Sequence, residues 1–217
     1  MVCVTKQNQP SSLVGYKQQT NAEYDGANFT PIKEDIRKNL LDEQYYLCAY
    51  CMQRIYNDGL STKIEHWHCQ QDYKDESLDY KNMLAVCRGN EGQPSKSQHC
   101  DTKKGSSKLK HNPSSLPCII ENTISYQRNG KIESSHKDFN GELNDILNLN
   151  IEYLTNNRAA VYESINEALS KKPDKKTKAE IQKLIDKWQS TDENNYKKEY
   201  FGVAVYLLNK KLQRCAK

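Results

Sequence analysis

The chain has 217 residues, of which 36% are hydrophobic and 28% charged, with a formal net charge of +4. That length can bury roughly 70% of the surface its unfolded form exposes, so one large domain or two small ones can form a core without covalent staples. The weak positive charge lends little support to a polyanionic partner. No run approaches the roughly 18 apolar residues of a membrane span, and the opening MVCVTKQNQPSS lacks the apolar stretch of a secretory signal.

Residues 1–28 are rich in Gln and Asn, show little periodicity and read as an arm with at most short elements. A helix is expected next. Thr30 suits its cap and Pro31 its first position, Glu34 and Asp35 suit its positive end, and Ile32, Ile36, Leu40, Leu41 and Tyr45 recur at helical spacing. From about residue 113 the chain changes character. CIIENTISYQRNGKIESS alternates around Asn129-Gly130, a two-residue hairpin signal. Helices follow, marked by Ile146, Leu147, Ile151, Leu154, Val161, Tyr162, Ile165 and Leu169, then by Ile181, Leu184, Ile185 and Trp188, then by Phe201, Val205, Leu208 and Leu212. Pro173 separates the first two. A small bundle packed on the middle of the chain is the expected arrangement, giving an α+β molecule.

The middle, residues 48–112, holds the chemistry. The expected setting is the cytoplasm, where the eight cysteines stay reduced and a cluster points to metal rather than to disulfides. Cys48 and Cys51 have the spacing with which two thiolates reach one zinc ion from a tight knuckle. A redox pair has the same spacing, but it calls for a strand before and a helix after. Cys87 and Cys100 are the expected second pair. The Gly-, Pro- and Ser-rich RGNEGQPSKSQH between them can bulge out at little entropic cost. The alternative for Cys87 is a buried core thiol. Cys3, Cys69, Cys118 and Cys215 have no partner at ligand spacing and are expected to be ordinary small residues.

With those four assigned, IEHWHCQ (64–70) and Asn82 fall between the two knuckles. CAYC, IEHWHCQ, KNMLAVC and CDTKKG in this order resemble the zinc-stabilised HNH endonucleases. Within them, the closest resemblance is to the HNH subunits of the Septu anti-phage system and of some retrons. The resemblance spans roughly residues 30–160. It implies a ββα-metal, treble-clef-like core over residues 29–112, and leaves the hairpin and helices of 113–217 for docking a partner.

What it implies chemically follows the demands of phosphodiester hydrolysis, in which a water must be deprotonated and the phosphate charge stabilised. His66 takes the place of the general base. Glu65 and Asp101 take those of ligands to a catalytic Mg²⁺ or Mn²⁺, although Asp101 also suits a helix cap. Asn82 takes that of the central Asn, which ties down the loop and orients the histidine. His68 stands where the family often has Pro, and His99 precedes the last cysteine; both are accessory candidates. Lys103, Lys104, Lys108 and Lys110 trail the site as phosphate-contacting candidates, or as a solvated helix face. The implied partners are an ATPase subunit and a nucleic-acid substrate, DNA first, with tRNA beside a retron reverse transcriptase and its RNA–DNA product as the alternative. A non-catalytic zinc module accounts for the cysteines and lysines but leaves Glu65, His66, Asn82 and Asp101 unused.

Overall fold

A computed structural model describes residues 1–170 and 177–214. Pro173, Cys215 and most of the basic run that begins at Lys171 lie outside the described residues. The architecture is α+β, with two antiparallel two-stranded sheets among helices.

The N-terminal segment has one short helix, α1 (Ser11–Tyr16), and it packs against the rest of the molecule. Met1, Val4, Leu13 and Tyr16 are buried, and the Val4 N–H donates to the Pro113 carbonyl at 2.8 Å. That pairing brings Cys3 beside Cys118, and the two form a disulfide. The expectation that both are isolated thiols is corrected; a separation of 115 residues leaves no spacing signal to read. Lys6 reaches in to Glu43, buried on the next helix, and donates to the Met83 carbonyl at 2.9 Å.

Helix α2 (Phe29–Glu43) buries Phe29, Ile36, Leu40 and Leu41. It starts one residue before the expected cap Thr30, and no side chain caps it. The start is set by Phe29, whose ring lies 5.1 Å from Tyr16 and 4.7 Å from Tyr24. Past its end, Tyr45 and Tyr46 are both left-handed, at φ 55° and 59°, which side chains disfavour. The Arg54 guanidinium holds them by donating to both their carbonyls at 3.1 Å.

Strand β1 (Thr62–His66) pairs antiparallel with β2 (Met83–Cys87), setting His66 opposite Met83 and Thr62 opposite Cys87. Every residue of β2 is buried, as its unbroken apolar run MLAVC requires. Helix α3 (Cys100–Lys104) packs on β2. The second sheet, β3 (Ile124–Tyr126) and β4 (Ile132–Ser134), follows helix α4 (Ile120–Thr123) and precedes α5 (Lys137–Gly141).

Its turn departs from the two-residue expectation. The Gln127 N–H donates to the Lys131 carbonyl and the Gly130 N–H to the Gln127 carbonyl, both at 2.9 Å. The loop is therefore the three residues 128–130, ending in left-handed Gly130 at φ 78°, the three-residue hairpin geometry. Packing demands the same glycine, since a Cβ there would stand 1.9 Å from the Thr155 carbonyl oxygen.

The long helix expected from about Asn144 is interrupted. A π-helical turn spans Glu142–Ile146, the chain then leaves helical geometry, and α6 starts at Glu152 and runs to Ser170. The cause is a pair of asparagines whose side chains bond to backbone elsewhere. Asn148, at φ 49°, donates to the carbonyls of Lys96 and Gln98 at 3.1 and 2.7 Å. Asn150 bonds both the N–H and the carbonyl of Ile132, each at 2.9 Å. Buried Arg158 of α6 completes the junction, donating to the Gly130 and Leu149 carbonyls at 2.6 Å. Helices α7 (Lys178–Gln189) and α8 (Phe201–Arg214) pack on each other, and α6 packs on α8. The bundle sits directly behind the Cys48–Cys51 knuckle, where the Tyr200 N–H donates to the Met52 carbonyl. Among the described residues no helix is long and apolar enough to cross a membrane.

Candidate functional site

Three segments converge on four thiols. The knuckle after α2 closes through Cys48 N–H to Gln53 O at 2.9 Å and Met52 N–H to Cys48 O at 3.0 Å. Cys87 ends β2 and Cys100 opens α3. The Sγ atoms of Cys48, Cys51, Cys87 and Cys100 all lie within 4.8 Å of one another, and all four residues are buried. Cys48 and Cys100 are 3.9 Å apart, Cys51 and Cys87 3.8 Å. A zinc ion with Zn–S bonds of about 2.3 Å needs sulfur separations of about 3.8 Å, so the cluster can hold a structural metal such as zinc. Among the described residues it is the one grouping of three or more metal-capable side chains. Buried His99 sets its Nδ1 3.2 Å from the Cys100 sulfur. The loop returns to it tightly: His99 N–H donates to the Gly89 carbonyl at 3.0 Å, and a Cβ on Gly89, at φ 56°, would strike the His99 carbonyl oxygen at 2.0 Å.

On β1, successive side chains leave opposite faces of the sheet. Lys63 and Glu65 face α3. Lys63 bonds Thr102 at 3.2 Å and pairs with Asp101 at 3.3 Å and Glu91 at 2.8 Å. Buried Glu65 meets the Lys104 ammonium at 2.7 Å and accepts from the Tyr50 hydroxyl at 3.1 Å. Burial pushes the Glu65 carboxyl well above the ordinary carboxylate range, and neighbouring Asp101 adds to the push against the opposing charge of Lys104. For Asp101 burial also works upward. The hydrogen bond from Glu65 and the charges of Lys63 and Lys104 outweigh it, and its carboxyl is held low. Within their shared burial, mutual contact thus drives the two carboxyls in opposite directions, Glu65 upward and Asp101 downward. Asp101 sits in the first turn of α3 behind His99, the capping residue, and bonds across to β1 rather than capping its own helix.

As hard oxygen donors Glu65 and Asp101 suit a divalent cation such as Mg²⁺, but the Lys104 ammonium already stands on Glu65. Lys104 is only 2% exposed and also donates to the His66 carbonyl at 3.2 Å. Its reading as a phosphate-contacting lysine is corrected: it points inward because Cys100, one helical turn earlier, commits that face of α3 to the core. Lys103 lies half-buried against Ser95, while Lys108 and Lys110 are exposed and paired with Asp72 and Asp138.

His66 faces the loop between the strands and is 7% exposed. Its Nε2 lies 2.9 Å from the Ser77 carbonyl oxygen. The Gln70 amide nitrogen also lies 3.3 Å from this atom, but the closer carbonyl only accepts, so the shorter contact places the hydrogen on Nε2 and leaves the lone pair of the neutral ring on Nδ1. Burial lowers its pKa, outweighing the Ser77 carbonyl, which acts the other way. The Tyr24 ring stands edge-on to it at 4.6 Å. Asn82 clamps the loop as a two-way bridge, its Oδ1 accepting from the His68 N–H at 2.8 Å and its Nδ2 donating to the His68 carbonyl at 3.0 Å. His68 itself pairs with Glu76 at 2.6 Å.

The structure thus joins Glu65 to Asp101, and Asn82 to the loop of His66. It does not bring His66 into contact with the carboxyl pair; Lys104 links them. Tyr50, Lys63, Tyr24 and the Ser77 carbonyl were not foreseen. Lys63 alone left a signal, two residues before Glu65 and so on the same face. No protein-family model matches the sequence, and no curated protein is similar enough to count as a relative.

Proposed function

We propose that the chain is a zinc-stabilised phosphodiester hydrolase of the HNH kind, with β1, β2 and α3 as its ββα core. His66 is the observation that carries this reading. It is a buried imidazole biased to its neutral form, with one nitrogen anchored on a backbone carbonyl and the other free to accept a proton. Nδ1 takes the proton of an attacking water, and Asn82 holds the loop that fixes the ring. Lys63 and Lys104 supply positive charge beside the carboxyl pair. A hard divalent cation, held by Glu65 and Asp101, would when bound stabilise charge on the phosphate and on the leaving 3′ oxygen. The Cys48, Cys51, Cys87 and Cys100 centre holds these elements together.

The likeness to the Septu and retron HNH subunits extends the proposal. The chain acts in the cytoplasm as the effector of an anti-phage complex with an ATPase subunit, which docks on the outer faces of α6 to α8. DNA is the expected substrate, and tRNA, with a retron reverse transcriptase as a further partner, the alternative. The Cys3–Cys118 disulfide is the feature least at home in a reducing compartment.

His66→Ala tests the hydrolase directly. Zinc content, folding and partner binding should be unchanged, because His66 is outside the thiol cluster, while cleavage of DNA or tRNA should fall by about 10²–10⁴-fold. Cleavage at the parent rate would sink the proposal. It would promote the second reading, a zinc-built binding module, which the Lys104–Glu65 ion pair favours because it already neutralises a carboxyl meant for metal.

A further inference from the structure

Beyond His66 the chain builds a run of rings that hydrolysis does not use. The Trp67 and His68 rings lie 4.3 Å apart, tilted by 38°, and His68 stacks on Tyr73 at 4.4 Å with 16° between planes. The run is fixed in place. Asn82 holds both backbone groups of His68, Glu76 holds its Nδ1, and the Tyr73 N–H donates to the Cys69 carbonyl at 3.0 Å. Trp67 is partly buried, packed against the core with its Nε1 enclosed, and anchors the run, while His68 and Tyr73 are partly exposed beyond it. The Lys108 ammonium stands 5.4 Å from the Tyr73 ring centroid and pairs with Asp72 at 3.3 Å.

We infer that Trp67, His68 and Tyr73 form a stacking platform for an unpaired base of single-stranded nucleic acid lying across the mouth of the His66 site; this rests on the hydrolase reading above. Inside a duplex both faces of each base are already covered, so a ring at the end of a protein stack gains contact only with a base freed from its helix. The local charges argue for base over phosphate as the recognised group. Asp72 is met by Lys108, and exposed Lys74 is followed by the acidic Asp75 and Glu76, so no surplus of cations awaits a backbone there, whereas π faces are on offer. Lys108, 68% exposed, can leave the Tyr73 ring to a base and follow the adjoining phosphate. Since Trp67 and His68 directly follow His66 at the end of β1, the stacked base belongs to a nucleotide neighbouring the cleaved bond. Cleavage then falls in loops, ends and unwound segments.

The test uses the zinc-loaded full chain carrying His66→Ala, so that binding is read without cleavage. It measures affinity for a short labelled DNA strand, the same strand as a duplex, and a strand with abasic sites in place of its bases. The intact single strand should bind tightest, and the abasic strand about tenfold or more weaker, the loss of a base stack. Adding Tyr73→Leu should weaken the single strand by a similar factor and leave the duplex unchanged, and Tyr73→Phe should restore it. Equal binding of intact and abasic strands, a preference for duplex, or parental single-strand affinity in Tyr73→Leu with zinc and fold intact overturns the platform. Cleavage by the chain with His66 in place is scored separately. A platform that binds unpaired bases beside a site that cuts nothing overturns the hydrolase and leaves the platform standing.

Discussion

The burial of His66 gives the proposed general base a pH signature. The buried ring resists protonation, so the neutral base survives to lower pH than in a free histidine. Cleavage should be full at neutral pH and fall only as pH drops through a value below about 6.5. An acid limb centred above that value in the pH–rate profile contradicts His66 as the base. Lys104 was misplaced because a string of lysines reads the same whether it faces water or core; only the thiol one turn away fixes the inward face. Lys104→Met should cost up to about 3–5 kcal/mol in urea unfolding, the range for breaking a buried pair. Freed of the ammonium, the Glu65–Asp101 pair should also bind Mn²⁺ more tightly than the parent, by paramagnetic resonance titration. Unchanged or weaker binding means that the pair is not a cation site.

At the scale of elements, periodic segments were legible and their interruptions were not. The apolar run of β2 and the repeats of α2, α7 and α8 declare themselves because burial alone sets them. The break before α6 does not, since Asn148 and Asn150 trade helix for bonds to chain far away in sequence, and a helical repeat read locally carries no trace of those partners. Asn148→Ala removes two hydrogen bonds from the 96–98 segment at a left-handed position, and should destabilise by about 1–3 kcal/mol. Faster amide exchange should concentrate in residues 90–99. Exchange unchanged there would mean that the clasp is not what holds the loop. The hairpin shows the same limit: Asn129-Gly130 announced a turn, but its length was set by α6 packing on Gly130.

For the whole molecule, the sequence leads one to expect a core over residues 29–112 separate from an appended bundle, and the structure interlocks the two. Helices α6 to α8 back the Cys48–Cys51 knuckle, and the N-terminal segment reaches both β2 through Lys6 and His66 through Tyr24. Truncation after about residue 140 should therefore lose folded structure along with partner binding, seen as lost near-ultraviolet dichroism; a truncated chain that stays folded and holds zinc shows the core to be autonomous. Metal removal should act as broadly. A structural zinc site contributes roughly 10–16 kcal/mol of apparent binding energy in small zinc modules, so Cys48→Ser should lose the metal and unfold the β1–β2–α3 unit. Parental zinc content in that variant contradicts the four-thiolate centre.

The Cys3–Cys118 disulfide closes a ring of chain that contains all four cluster cysteines and Cys69. An oxidant able to join residues 3 and 118 meets six further cysteines in the chain, Cys215 among them, and the four of the cluster hold their sulfurs within 4.8 Å of one another. Bound zinc would occupy those four and remove them from competition, which imposes an order on maturation: metallation first, oxidation second. Refolding with zinc before oxidant should give one species with a single crosslink. Refolding with a chelator in place of zinc should give a mixture of scrambled pairings that later zinc cannot rescue, separable by peptide mapping.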